Sequence, residues 1–140
     1  MNREATKMDQ VLHLVVPAKA EYLSLLRLVV AAVADQKGFS DETIADIKVA
    51  LSEASTNVVR HAYPGLCAPG EMVIEINCFE DSDNFIIEVQ DRGCGIPLPP
   101  PATEGLGLGI MSSLMDKVAV ETGKSGTTVL LEKNASIPRH

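Results

Sequence analysis

The chain has 140 residues, 46% of them hydrophobic and 22% charged, and a formal net charge of −7. That length supports one hydrophobic core and is short for two, and the apolar share excludes a disordered chain. The acidic balance argues against broad binding to nucleic acid or to an anionic membrane, and suits a partner with a basic surface.

Cys67, Cys78 and Cys94 are odd in number and lack CxxC spacing. They read as reduced thiols of a cytoplasmic protein, with no disulfide framework and no zinc site. No signal-peptide pattern opens the sequence. The longest apolar run, residues 23–34, is interrupted by Arg27 and is too short to span a bilayer.

Residues 1–10 are polar and read as loosely held. Residues 11–16 (VLHLVV) form a short strand ended by Pro17, with His13 inside it as a structural residue. Residues 18–37 turn helical: Tyr22, Leu25, Leu26, Val29, Val30 and Val33 share a face, and Gly38 caps the end. Arg27 lies off that face and is expected to be exposed.

Residues 40–63 (SDETIADIKVALSEASTNVVRHAY) read as one long helix. Ser40 is the N-cap, and Asp41 and Glu42 stand in the first turn, where the helix dipole favours negative charge. Ile44, Ile47, Leu51, Ala54 and Val58 recur at helical spacing as the apolar stripe, and Pro64-Gly65 stops the helix. A second stripe is polar. Glu53, Asn57 and His61 stand four residues apart, with Asp46 and Ala50 pointing the same way. A carboxylate, an amide and an imidazole in line beside a core stripe fit a helix that lines a polar cleft; a solvated flank carries the same residues.

Pro69-Gly70 marks a turn, after which residues 72–79 (MVIEINCF) and 85–90 (FIIEVQ) form a hairpin across the DSDN turn at residues 81–84. The second strand runs into Asp91-Arg92-Gly93-Cys94-Gly95, where backbone is positioned to come close to something. Residues 98–104 (LPPPATE) carry three consecutive prolines and cannot be helical. Residues 105–109 (GLGLG) then open a helix through Ile110, Met111, Leu114 and Met115, which is a phosphate-cradle arrangement. No Gly-Lys-Ser/Thr follows, so this is not a P-loop, and the preceding proline-rich loop rules out a Rossmann fingerprint. Residues 117–122 and 127–133 form a last hairpin over the glycine-flanked turn at 123–126. The order of elements predicts an α+β, two-layer sandwich: a mixed, mostly antiparallel sheet with helices on one face.

Three clusters stand out in this order: the Glu53/Asn57 helix face, the D-x-G-x-G turn at a strand end, and the glycine run at a helix start. Together they resemble the GHKL (Bergerat-fold) ATP-binding family, and within it the anti-sigma factor serine-protein kinases that control general stress response or sporulation sigma factors. Ser52-Glu53-Ala54-Ser55-Thr56-Asn57 with His61-Ala62-Tyr63 is similar to that subgroup's N-box, Asp91-Arg92-Gly93-Cys94-Gly95 to its G1 box, the run from Gly105 to Gly109 to its G2 box, and Gly126-Thr127-Thr128 to its final turn and strand. The stretch PAKAEYLSLLRL from Pro17, and Leu114-Met115-Asp116, also look like this subgroup, so the resemblance covers nearly the whole chain as one ATP-binding domain, residues 1–140.

The resemblance implies a set of roles. Asn57 ligates Mg²⁺ through its amide oxygen. Glu53 is the general base that polarises an attacking serine hydroxyl. Asp91 accepts a hydrogen bond from the adenine amino group, Gly93 and Gly95 give base and sugar room, and Thr128 bonds near the adenine alongside Asp91. Gly105, Leu106, Gly107, Leu108 and Gly109 offer backbone N–H groups to the phosphates of ATP. Arg60 is the nearest candidate for a γ-phosphate clamp, His61 is structural, and Cys94 has no chemistry. Arg27 corresponds to a partner-contact arginine. The implied function is to bind and inhibit an RNA polymerase sigma factor and to phosphorylate a serine of an anti-anti-sigma (STAS-domain) protein, as a homodimer. The alternative is a nucleotide-binding partner-switch module without catalysis. One departure bears on rate. The lid at residues 98–104 is much shorter than in the well-known kinases of this group, which predicts measurable ATP affinity with slow phosphoryl transfer.

Overall fold

Alternation at Leu12, Leu14 and Val16 builds the first strand, β1 (Asp9–Pro17), with those side chains against the core and Val11, His13 and Val15 on the other face. The computed structural model describes residues 8–58, 72–91, 108–123 and 126–134. A single 3-10 turn (Ala20–Tyr22) leads into α1 (Leu23–Lys37), which Gly38 closes in the left-handed conformation at φ 101°. Ser40 then caps α2 (Asp41–Asn57), its Oγ accepting the Thr43 N–H at 3.1 Å. The part of the expected helix beyond Val58 lies outside the described residues.

The hairpin of β2 (Val73–Glu80) and β3 (Asn84–Asp91) follows, its turn fixed by Asp81, whose Oδ1 accepts from the N–H groups of Asp83 and Asn84, both at 2.8 Å. Then come α3 (Leu108–Leu114), β4 (Lys117–Gly123) and β5 (Gly126–Asn134). The strand order is β1-β2-β3-β5-β4. Every pairing among these strands is antiparallel, so the sheet is not mixed as expected. Two hairpins supply two of the four pairings, and neither needs a parallel crossover.

Helices cover one face. Leu26, Val30 and Ala34 of α1, Ile47, Ala50, Leu51 and Ala54 of α2 and Met111 of α3 are fully buried against Ile74, Ile76, Cys78, Phe85, Ile87, Val89 and Leu131 of the sheet. The opposite face carries polar contacts instead: His13 to Glu75 at 2.9 Å, and a relay from Gln10 to Asn77 to Glu88 at 2.7 and 3.0 Å. This is the expected two-layer α+β arrangement. The buried stripe of α1 differs from expectation: Leu25 is 40% exposed, because it stands about 100° round the helix from Leu26 and about 140° from Val30.

Candidate functional site

The phase of β3 decides where Asp91 points. Phe85, Ile87 and Val89 face the core, so Asp91, two residues on, faces the helices too and is 3% exposed. A carboxylate this deep needs donors. Thr127 supplies one, its N–H donating to Asp91 Oδ2 at 3.0 Å. The approach of the two strand ends depends on Gly126. Its φ is 130°, and an added Cβ would collide with the backbone oxygen of Asp91 and lie 2.8 Å from Oδ1. No other residue fits that position without moving the carboxylate.

Thr128 is not beside Asp91. It pairs with Gln90 across the ladder, and its Oγ1 accepts from Gln90 Nε2 at 3.1 Å on the face away from the helices. Thr127 is the threonine on the Asp91 side, 7% exposed, in phase with buried Val129 and Leu131. Period-2 counting back from Val129 would have found it. The run Val129-Leu130-Leu131 is apolar in both phases and hides that signal.

α2 lies over β3 and β5 and packs beside α3. Glu53 and Asn57 stand one turn apart, about 6 Å along the axis, and both are half-buried. Ala50, expected on the same stripe, is fully buried, and Asp46 is half-buried. The polar stripe therefore borders the core and is partly shielded from solvent along its length. α3 begins inside the glycine run. Leu108 packs partly against the core, while a Cβ on Gly109 would meet nothing within 4 Å. Among the described residues, then, no packing contact calls for glycine at 109. Gly93, Gly95, Gly105, Leu106 and Gly107 lie outside the described residues, as do Arg60, His61, Cys67, Cys94 and the lid at 98–104.

Arg27 is half-buried instead of exposed. It leans across to α2, where its Nη1 donates to Ser52 Oγ at 3.3 Å. Ser52 adjoins Glu53, and the three residues line one groove with Ala45, Lys48 and Val49. No group of three or more His, Cys, Asp or Glu among the described residues could hold a metal. Magnesium is commonly held by one or two protein oxygens together with nucleotide phosphates and water, so a lone amide such as that of Asn57 fits this ion and would not fit a protein-only cage.

Residues 16–133 match the histidine kinase-like ATPase domain family. Among curated proteins, the chain is 39% identical over 132 residues to a serine-protein kinase RsbW of Bacillus licheniformis, covering 84% of this chain and 81% of that one. It is 36% identical to the Bacillus subtilis protein of that name over the same shares, and 34% identical to that of Bacillus velezensis over 92% and 88%. Two solved structures share the fold: the RsbU and RsbW domains of a Mycobacterium tuberculosis protein (TM-score 0.69, 24% identity, 87% of this chain and 31% of that one) and a blue-light activated histidine kinase of Erythrobacter litoralis (TM-score 0.57, 22% identity, 86% and 42%). With 16–133 matched and three such relatives, the chain belongs to the histidine kinase-like ATPase domain family, and its relatives there are serine-protein kinases of the RsbW name.

Proposed function

We propose that this chain is an ATP-dependent serine-protein kinase that also acts as an anti-sigma factor. It holds an RNA polymerase sigma factor inactive and phosphorylates a serine of an anti-anti-sigma, STAS-domain protein. The observation that carries the nucleotide half is the buried Asp91 carboxylate, fixed by Gly126 and Thr127 beneath the helix that bears Glu53 and Asn57. A buried carboxylate is a ready acceptor for the exocyclic amino group of adenine. Gly105, Leu106, Gly107, Leu108 and Gly109 would offer backbone N–H groups to the phosphates, and Gly93 and Gly95 would give base and sugar room. Asn57 offers its amide oxygen to Mg²⁺, which when bound offsets phosphate charge.

Glu53 is half-buried, one turn from Asn57, and opens onto the Arg27 groove. It takes the proton from the acceptor serine as the serine oxygen bonds to the γ-phosphorus and the bond to ADP breaks. The relatives named as kinases and the presence of Glu53 favour this reading over a binding module without catalysis. Arg27 is the partner-contact residue. The chain works as one domain in the cytoplasm, as a homodimer, without direct contact to nucleic acid or membrane. In keeping with that, no helix among the described residues is long and apolar enough to cross a bilayer.

Calorimetry with Mg²⁺·ATP, paired with phosphorylation of a STAS-domain protein, tests the reading. Wild type binds ATP and labels the acceptor. Glu53→Gln keeps ATP uptake and loses labelling by about a hundredfold or more. Asp91→Ala loses ATP uptake. A wild type that takes up no adenine nucleotide, or a Glu53→Gln variant that phosphorylates at the wild-type rate, overturns it.

A further inference from the structure

Ala45, Lys48, Val49, Ser52 and Glu53 recur at i, i+3, i+4, i+7 and i+8, so they form one outward stripe on α2, and Arg27 of α1 walls the groove they line. The stripe is uneven in its chemistry. Ala45 and Val49 are exposed, Val49 at 47%. Neither Lys48 nor Arg27 pairs with a carboxylate among the described residues, although the chain holds 19 Asp and Glu against 12 Lys and Arg. Glu53 is the one carboxylate among the described residues lining the groove. An apolar strip with two cations beside it thus leads along the helix to the carboxylate assigned above as general base.

We propose that this groove receives the acceptor segment of the protein substrate, and that Lys48 and Val49 select it; the inference rests on the kinase reading. Charge complementarity names the occupant. Two cations with no carboxylate partner among the described residues, on an acidic molecule, favour a segment that brings its own carboxylate. Spacing sets its register. Glu53 and Val49 are about 6 Å apart along the axis, which an extended chain covers in about two residues. Residues two apart in an extended chain point the same way, so with the serine hydroxyl at Glu53, an apolar side chain two positions along seats on Val49. An acidic side chain in the same stretch meets Lys48 and Arg27. Lys48 and Val49 touch neither the nucleotide corner nor the core, so their effect falls on acceptor recognition alone.

The test is steady-state phosphorylation of a STAS-domain acceptor by wild type, Lys48→Glu and Val49→Ser. The expected result is an acceptor KM raised about tenfold in Lys48→Glu, with kcat and ATP affinity within about twofold of wild type. Wild-type KM also rises with salt, and Lys48→Glu loses that dependence. Changing the acidic residues flanking the acceptor serine to lysine restores KM for Lys48→Glu and raises it for wild type. The proposal is overturned if both variants keep wild-type KM, or if Lys48→Glu weakens only capture of the sigma factor. If wild type binds ATP and labels no acceptor, the kinase reading itself fails and takes the proposal with it, a different result from wild-type labelling with unchanged variants.

Discussion

Gly126 stands at φ 130° with its α-carbon against Asp91, and the placement of the carboxylate proposed to hold adenine depends on that approach. Gly126→Ala adds a methyl where the Asp91 backbone oxygen already is, in a conformation that costs an L-residue about 1–2 kcal/mol before any collision. The expected outcome is a lower thermal midpoint together with weakened ATP binding, since the carboxylate must move to admit the methyl. The neighbouring threonines separate position from composition. Thr127→Val keeps the backbone N–H that holds Asp91 and removes a buried hydroxyl on the Asp91 side; Thr128→Val removes a hydroxyl bonded to Gln90 on the far face. Calorimetry should find ATP affinity reduced about tenfold by the first and changed less than about twofold by the second. Equal losses would mean that the strand phase is not what selects the adenine contact. At this scale the sequence pointed to Asp91 through its glycine-rich surroundings. It pointed to Thr128, which the strand phase turns to the face away from Asp91, because Leu130 continues the apolar run through both phases.

α2 shows how much of an element can be read from spacing. The Ser40 cap, the acidic first turn and the stripe through Ile47, Leu51 and Ala54 were all legible, because each depends on neighbours three or four residues away. Two features were not. Arg27 over Ser52 depends on how α1 and α2 pack, and no local pattern encodes that. Ser55 is the other. It faces the interior at 1% exposure, and its Oγ has no hydrogen-bond partner among the described residues. A buried hydroxyl left unpaired costs about 1–3 kcal/mol, and serine is also a weaker helix former than alanine. Ser55 precedes Asn57 by two residues, about 200° round the helix, so its hydroxyl points away from the Asn57 side. Ser55→Ala should therefore raise stability by about 1 kcal/mol, read as a thermal midpoint a few degrees higher, with ATP affinity unchanged. A drop in the midpoint would mean that the hydroxyl has a stabilising partner in solution.

Cys78 lies where the two layers meet, on the core face of β2, fully buried. Sequence spacing excluded a CxxC site there and left open how the thiol would behave. Burial decides it. Desolvation disfavours the thiolate and pushes the Cys78 pKa up from 9.0 to about 12. In the unfolded chain the thiol ionises near the ordinary value. Between about pH 9 and pH 12 the native state therefore keeps a proton that the unfolded state has released. The contribution is fully present below pH 9 and is lost as pH rises toward 12, at up to about 1.4 kcal/mol per pH unit. Urea titrations across that range, under reducing conditions, should find stability falling with pH. Other groups that ionise there contribute to the same fall, so the informative quantity is the difference from Cys78→Ala. That variant starts lower, because a small cavity replaces the sulfur. Its stability should then decline less steeply, so the gap between the two proteins narrows as pH rises. The native thiol should also resist alkylation at pH 8 and react once urea opens the fold. Two stability curves that run parallel from pH 8 to pH 12 would mean that Cys78 is not shielded between the sheet and the helices in solution.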